Sequence, residues 1–571
     1  MRDLALQRGS PAAAAKAVSS AALVQRPLPA LIGVATACMV AYAAALANGY
    51  AYDDVPLVLG NPAMRALAGG DVVAALRLIA TQPYWPAMGA ELALYRPLTS
   101  LTLALDFALW NGHPLGLHLA NVLWHTAASL LVLLLLRRLV TPIPAFAGAL
   151  VFAVHPVHVE AVANIAGRAE LVTAVFGLAA CVLWLRGRRG DVSLAALCVL
   201  LALAAKESAI MLPALLLLLE PIRLRRDGQP VAASQAFAAS LRERTSGWVL
   251  IGLALAAFVA ARIAVLDGLR PAAVHAAADV LQSPLERVAT ALQAWPVYLR
   301  LLLAPTSLLA DYGPRVLMPA RGITPLAVMG GLVLVTLVGA GVTALHRREP
   351  RLALALLWLP LAILPVSNLL FPVGVIVAER TLYLPSFALS LGLGLVGQRV
   401  EALGSRGLRR AAAVALAVVA LALLARTVSR VPEWRSTETI FAALVRDRPD
   451  SFRAHWYLGR AAREQGDLPL AQRHFGEAFR LWPYRERMVI EAAATALQAG
   501  ALTEARELAG FAAERWPANA DAHRLNAVSA ISLADTTAAR LAVRLGLRTA
   551  PTDPLLLEMA SALRVHEEPR R

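Results

Sequence analysis

For its first three quarters the chain alternates long, nearly unbroken apolar runs with short polar connections, and in its last quarter the runs give way to amphipathic, charged stretches. A helix needs about 20 mostly apolar residues to cross the hydrocarbon core of a bilayer, somewhat fewer when flanking side chains snorkel. Eleven runs approach that length, near 30–47, 117–136, 142–155, 169–185, 192–205, 209–221, 246–264, 323–345, 352–371, 380–398 and 411–427. They predict an all-α, polytopic membrane domain of about 11 transmembrane helices over 30–429, preceded by a tail over 1–29.

Beyond Arg430 prolines recur at Pro449, Pro483, Pro517 and Pro551, 34 residues apart each time. That is the period of TPR repeats, helix pairs that bury a common core only when stacked. Trp456-Tyr457-Leu458-Gly459 resembles the start of the repeat consensus, Gly466 and Gly500 fall where the first helix turns into the second, and Ala471, Ala505 and Ala539 share a second-helix position. Residues 430–571 therefore predict an α-solenoid of about three repeats, with a groove that could hold an extended polypeptide or serve as a platform.

Composition agrees. Of 571 residues 58% are hydrophobic and 16% charged, with mean hydropathy +0.60, far too apolar for a soluble protein of this size. The net charge of +16 does not indicate a nucleic-acid partner, because the arginines cluster between apolar runs as cytoplasmic loops require. Arg2, Arg8, Lys16 and Arg26 put the N-terminus in the cytoplasm, ahead of an uncleaved first helix. Alternate connections then carry Arg137-Arg138, Arg186 with Arg188-Arg189, Arg223 to Arg244, Arg347-Arg348 with Arg351, and Arg399 to Arg410. This parity leaves 48–116 and 265–322 outside, makes the run 288–304 interfacial or re-entrant, and puts the repeats in the extracytoplasmic space. Cys38, Cys181 and Cys198 all sit in apolar stretches, as packing residues rather than disulfides or ligands.

The candidate chemistry falls on the outer side. Asp53-Asp54 follows the first run; two adjacent acids repel, so one can stay ionised as a general base while the other accepts hydrogen bonds, unless the pair is only a solvated turn. His155, His158 and Glu160 precede Arg168 and Glu170; the spacing is not the His-Glu-x-x-His zinc motif, and structural histidines or a phosphate-binding wall fit it better. Arg168 with Glu170 reads equally as a structural ion pair. Lys206, one of two lysines in the chain, either meets a phosphate or carboxylate or caps a hairpin with Glu207. Arg380 suits bidentate phosphate binding, with Glu379 and Tyr383 holding it, and Arg96 adds a further cation. An external wall of acids and cations beside the bilayer suits a substrate with a lipid tail and an anionic head.

Together Tyr52-Asp53-Asp54, Tyr95-Arg96-Pro97-Leu98-Thr99-Ser100, His155-Pro156-Val157-His158-Val159-Glu160, Gly167-Arg168-Ala169-Glu170, Lys206-Glu207 and Glu379-Arg380-Thr381-Leu382-Tyr383-Leu384-Pro385-Ser386 resemble the transmembrane and TPR repeat-containing O-mannosyltransferases, as does Asp311-Tyr312. The resemblance covers nearly the whole chain and implies a GT-C glycosyltransferase fold, with a sugar, mannose in this family, taken from a polyprenyl-phosphate donor to Ser or Thr of an extracytoplasmic protein. It implies Asp53 as catalytic base with Asp54 in support. Arg96, His155, His158, Glu160, Arg168, Glu170, Lys206, Glu207, Glu379, Arg380 and Tyr383 become candidates for donor phosphate or sugar, the cations among them for the departing phosphate. With few repeats the chain looks like a bacterial relative, placed in the inner (plasma) membrane. The Asp pair leaves room for a divalent cation but offers too few ligands for a tightly held one, so no bound metal or other cofactor is expected. Two other functions fit the same pattern: transfer to a glycolipid or cell-wall polymer, and a non-catalytic membrane-anchored TPR scaffold.

Overall fold

The computed structural model describes residues 27–86, 94–226, 229–266, 268, 283–373 and 375–565. Most of the expected cytoplasmic tail, and residues 87–93 and 269–282 of the two expected external segments, lie outside that set. Among the described residues the chain is helical throughout, apart from one short ladder pairing Arg225–Arg226 with Gln229–Pro230. It divides into two compact units, Met1–Leu308 with Pro319–Ser436, and Leu309–Met318 with Thr437–Arg571.

Among the described residues of the first unit six helices are long and apolar enough to cross a membrane: Pro27–Ala47, Pro114–Leu139, Ile165–Arg186, Thr245–Leu266, Pro325–His346 and Arg406–Arg435. The pair Pro142–Val154 and Pro156–Val162, bent by 45°, makes a seventh if taken as one span. Eleven spans therefore do not emerge from helix length alone. The remaining runs form shorter helices because polar motifs break them. Run 209–221 opens as a 3-10 turn, Glu207–Met211, before the helix Leu212–Arg223, and run 380–398 opens as the turn Glu379–Leu382 before Phe387–Ala402. Irregular backbone beside a span is tolerated where protein buries it, and the second turn buries Glu379 and Leu382 whereas the first buries Ala209 and leaves Ile210 half exposed.

The run 288–304 lies in a helix, Pro284–Leu303, which starts with a capping box between Ser283 and Glu286 and buries Trp295 and Tyr298. It packs so tightly on Pro325–His346 that a Cβ on Gly330 would lie 1.8 Å from the Leu292 carbonyl oxygen.

The segment between the first two long helices folds as Pro62–Ala68, Val72–Thr81 and Pro97–Leu109 around a core of Leu57, Val58, Met64, Ile79, Tyr84, Leu103 and Leu117. Ile165 joins the same core, which ties this segment to the polar stretch 164–170.

The second unit contains three helical hairpins, Phe452–Glu464 with Leu468–Leu481, Glu486–Gln498 with Leu502–Arg515, and Ala520–Ser532 with Thr536–Thr549. Gly466 and Gly500 take φ of +82° and +76° at the first two turns, and Ala534 takes +60° at the third, where the repeat signature is weakest. Ala471, Ala505 and Ala539 are fully buried, as close packing of each helix pair demands. Leu309–Met318 belongs to this unit: Arg453 donates to Asp311 Oδ1 at 2.5 Å, Arg315 Nε to the Leu481 carbonyl at 2.9 Å, and Arg448 to the Arg315 carbonyl at 3.2 Å.

Candidate active site

The first long helix ends in a 3-10 turn at Ala47, and the chain behind it is clamped from three sides. Asn48 Nδ2 donates to the Val431 carbonyl at 3.2 Å, Gly49 N to the Arg435 carbonyl at 3.0 Å, and the Gly49 carbonyl lies 3.1 Å from His118 Nε2. Tyr52 then takes a left-handed φ of +50° and turns the backbone so that Asp53 and Asp54 part. Asp54 is fully buried, with the Ala51 N–H donating to one oxygen at 3.2 Å and the Ala166 N–H to the other at 2.7 Å. Burial outweighs those hydrogen bonds, and with some help from the Asp53 charge it pushes the Asp54 carboxyl up to about 7. Asp53 is half-buried, and its charge acts on Tyr84 and on Arg380.

The other sequence-predicted residues gather around this pair, with partners that differ from those their order suggests. Lys206 Nζ binds the Glu170 carboxylate, not Glu207. Glu207 instead accepts from Arg96 Nε at 2.9 Å and from the Tyr95 N–H at 2.9 Å. Thr99 Oγ1 reaches the Ala205 carbonyl at 2.8 Å and fixes the same junction. Arg380 is held by Glu160, through the guanidinium and through its own N–H at 2.8 Å, while the Tyr383 phenol lies 2.7 Å from His125 Nδ1. Glu379 is buried in the same turn. Arg380, Arg96 and Lys206 lie near enough for their charges to act on one another through the Lys206 ammonium.

Arg168 is used differently. It is fully buried and donates to Asp106 Oδ2 at 2.6 Å, to the Leu117 carbonyl at 2.9 Å and to Asn121, so its partner is Asp106 and not Glu170. With its fork committed to three acceptors it ties together the helices Pro97–Leu109 and Pro114–Leu139. His155 and His158 are also inside the protein: His155 caps the next turn, accepting from the Val157 N–H at 3.2 Å, with its other nitrogen 3.0 Å from the Leu302 carbonyl, and His158 Nε2 lies 2.9 Å from Ser386 Oγ. Both rings are buried and hydrogen-bonded within the protein. Among the predicted cations the guanidinium groups with exposed surface are therefore Arg380, at 27%, and Arg96, at 14%.

Glu170 and Lys206 also line a small pocket together with apolar residues, among them Leu212, Leu215, Ala362 and Leu384. Ser208 and Thr381 line it as well.

Asp106, Asn121, His125 and Tyr84 were not among the predicted residues. For two of them a signal exists: His118, Asn121 and His125 repeat at three and four residues inside an apolar span, and polar groups sharing one face of a span mark a buried network. Asp106 and Tyr84 carry no such pattern.

No family model matches the chain. Curated relatives do. A protein O-mannosyl-transferase of Caenorhabditis elegans is 28% identical over 79% of this chain and 62% of its own length, and protein O-mannosyl-transferase TMTC3 of Mus musculus is 26% identical over 79% and 51%. Protein O-mannosyl-transferase TMTC4 of Homo sapiens is 30% identical over 67% of this chain and 57% of its own length. The alignments thus span between half and two thirds of these longer relatives. The chain is a homologue of the transmembrane and TPR repeat-containing O-mannosyltransferases.

Proposed function

We propose that the protein transfers a sugar, mannose as in its relatives' names, from a polyprenyl-phosphate donor to a Ser or Thr hydroxyl of an extracytoplasmic polypeptide, on a GT-C-type membrane domain. The observation that carries this reading is the division between the two acids. Asp54 is sealed and neutral up to about pH 7, so the charge of the pair rests on Asp53, the one with access to solvent. An ionised carboxylate beside a neutral one is the arrangement a general base needs. Asp53 takes the proton of the acceptor hydroxyl as that oxygen bonds to the anomeric carbon, the bond to the donor phosphate breaks on the opposite side, and the sugar's configuration inverts. Arg380 and Arg96, the partly exposed cations, face the charge that develops on the leaving phosphate.

Loop charge supports an orientation with the N-terminus inside and the repeats outside, where their groove would present the acceptor. The mechanism is written without a tightly held metal, because two adjacent carboxylates without further ligands make a poor dedicated site. The test is transfer of labelled mannose from its polyprenyl phosphate in membranes carrying either the wild-type protein or Asp53→Asn. Label in protein that vanishes in the variant supports the reading; label in lipid moves the acceptor to a glycolipid; equal label in both removes Asp53 from the chemistry.

A further inference from the structure

Tyr84 lies between the helices Val72–Thr81 and Pro97–Leu109, with its N–H donated to the Leu94 carbonyl at 2.8 Å and its ring in the core formed by Leu57, Ile79 and Leu103. The Arg96 guanidinium sits over that ring, 4.9 Å from its centroid, and the Trp85 ring meets it edge-on at 5.7 Å. The side chain is only 2% exposed, yet its hydroxyl is buried without a hydrogen-bond partner. Burial pushes the phenol up to about 12, so it is neutral, with both its proton and its lone pairs to offer. The charges of Asp53, Arg96 and Arg168 all act on it, and the Arg96 guanidinium, stacked over the ring, comes near the hydroxyl without the geometry of a hydrogen bond.

A buried orphan hydroxyl works against folding, and phenylalanine would fill the same space without that cost. The orphan lies close enough to the proposed base to feel its charge, in the part of the fold where a second oxygen must arrive during the reaction. We infer that the Tyr84 hydroxyl is a substrate contact, completed by a hydroxyl group of the substrate held next to Asp53. The inference rests on the transfer reading given above. Two substrates carry hydroxyls, the sugar of the donor and the Ser or Thr of the acceptor, and the same chemistry serves either.

The test uses Tyr84→Phe in the full-length protein, with two readouts. Thermal unfolding of the unliganded protein should be unchanged or slightly raised, since no internal hydrogen bond is lost. The KM for one substrate should rise about three- to tenfold, the weight of one neutral hydrogen bond. A rise confined to the polyprenyl-phosphate mannose assigns the contact to the sugar, and one confined to the acceptor peptide assigns it to Ser or Thr. Unchanged KM values for both overturn the inference, as does a clear drop in melting temperature, which would mean the hydroxyl serves the fold. A wild-type protein that transfers nothing sinks the transfer reading itself, a different result from an active wild type matched by an equally active variant.

Discussion

Lys206 and Glu207 are neighbours in the chain that point into different partnerships: the ammonium meets Glu170 on the helix Arg168–Arg186, and the carboxylate meets Arg96 at the start of Pro97–Leu109. One dipeptide thus locks two helices onto the same junction. Lys206 and Glu170 are each 7% exposed, so removing one partner leaves a charge stranded in the interior. Lys206→Met should destabilise the protein by about 3–5 kcal/mol, and adding Glu170→Gln should recover much of that loss. If Lys206 also meets the donor phosphate, the double variant regains its melting temperature without regaining transfer. Recovery of both would restrict the lysine to structure.

The two aspartates should separate cleanly by assay. Asp53→Asn is expected to lower transfer at least about 100-fold, the usual weight of a general base, with little change in melting temperature. Asp54→Asn should instead lower the melting temperature, because an amide cannot accept from both the Ala51 and the Ala166 N–H groups. Comparable thermal losses in both variants would break the assignment.

Asp54 also makes a pH prediction. Its folded value is raised to about 7 from an ordinary 3.8, so the unfolded chain releases this proton first as pH rises. The resulting stability is fully present below about pH 4 and is lost progressively as pH climbs through 7. Unfolding measured between pH 4 and 8 should show this fall in the wild type and a flatter profile in Asp54→Asn. A wild-type profile that rises over the same window would contradict the burial of a protonated Asp54.

Gly167 is a second sensitive point. A Cβ there would lie 2.3 Å from the Ala161 carbonyl oxygen, in the turn that delivers the Ala166 N–H to Asp54 and starts the helix of Arg168. Gly167→Ala should cost about 1–3 kcal/mol and depress transfer together with stability. A variant as stable as the wild type would show that the turn yields freely.

Much of this architecture could be read from the chain before any coordinates. The apolar runs become helices, and the 34-residue period becomes three hairpins with Gly466 and Gly500 at their turns. The clustering of Asp53, Arg96, Glu160, Glu170, Lys206, Glu207 and Arg380 was also legible, because loop charge assigns them to one side. Their pairing was not. Arg168 bonds Asp106 rather than Glu170, and Arg380 bonds Glu160 from 220 residues away, choices set by how helices meet rather than by sequence distance. Span counting was limited for a related reason, since run 209–221 opens as the 3-10 turn Glu207–Met211 and leaves only Leu212–Arg223 as regular helix.

The membership of Leu309–Met318 in the repeat unit has a consequence for how the molecule is made. Asp311 and Arg453 are 142 residues apart in the chain, and the helices Pro325–His346 and Pro350–Ile363 are synthesised between them. At about 5–20 residues per second, this segment leaves the ribosome many seconds before its partners exist. Its buried Asp311 waits without Arg453 through that interval, and their ion pair forms only after the last long helix has been made. Maturation of the repeats is therefore a late event, gated by completion of the chain, and Arg453→Ala should appear first as slow acquisition of protease resistance in newly made protein.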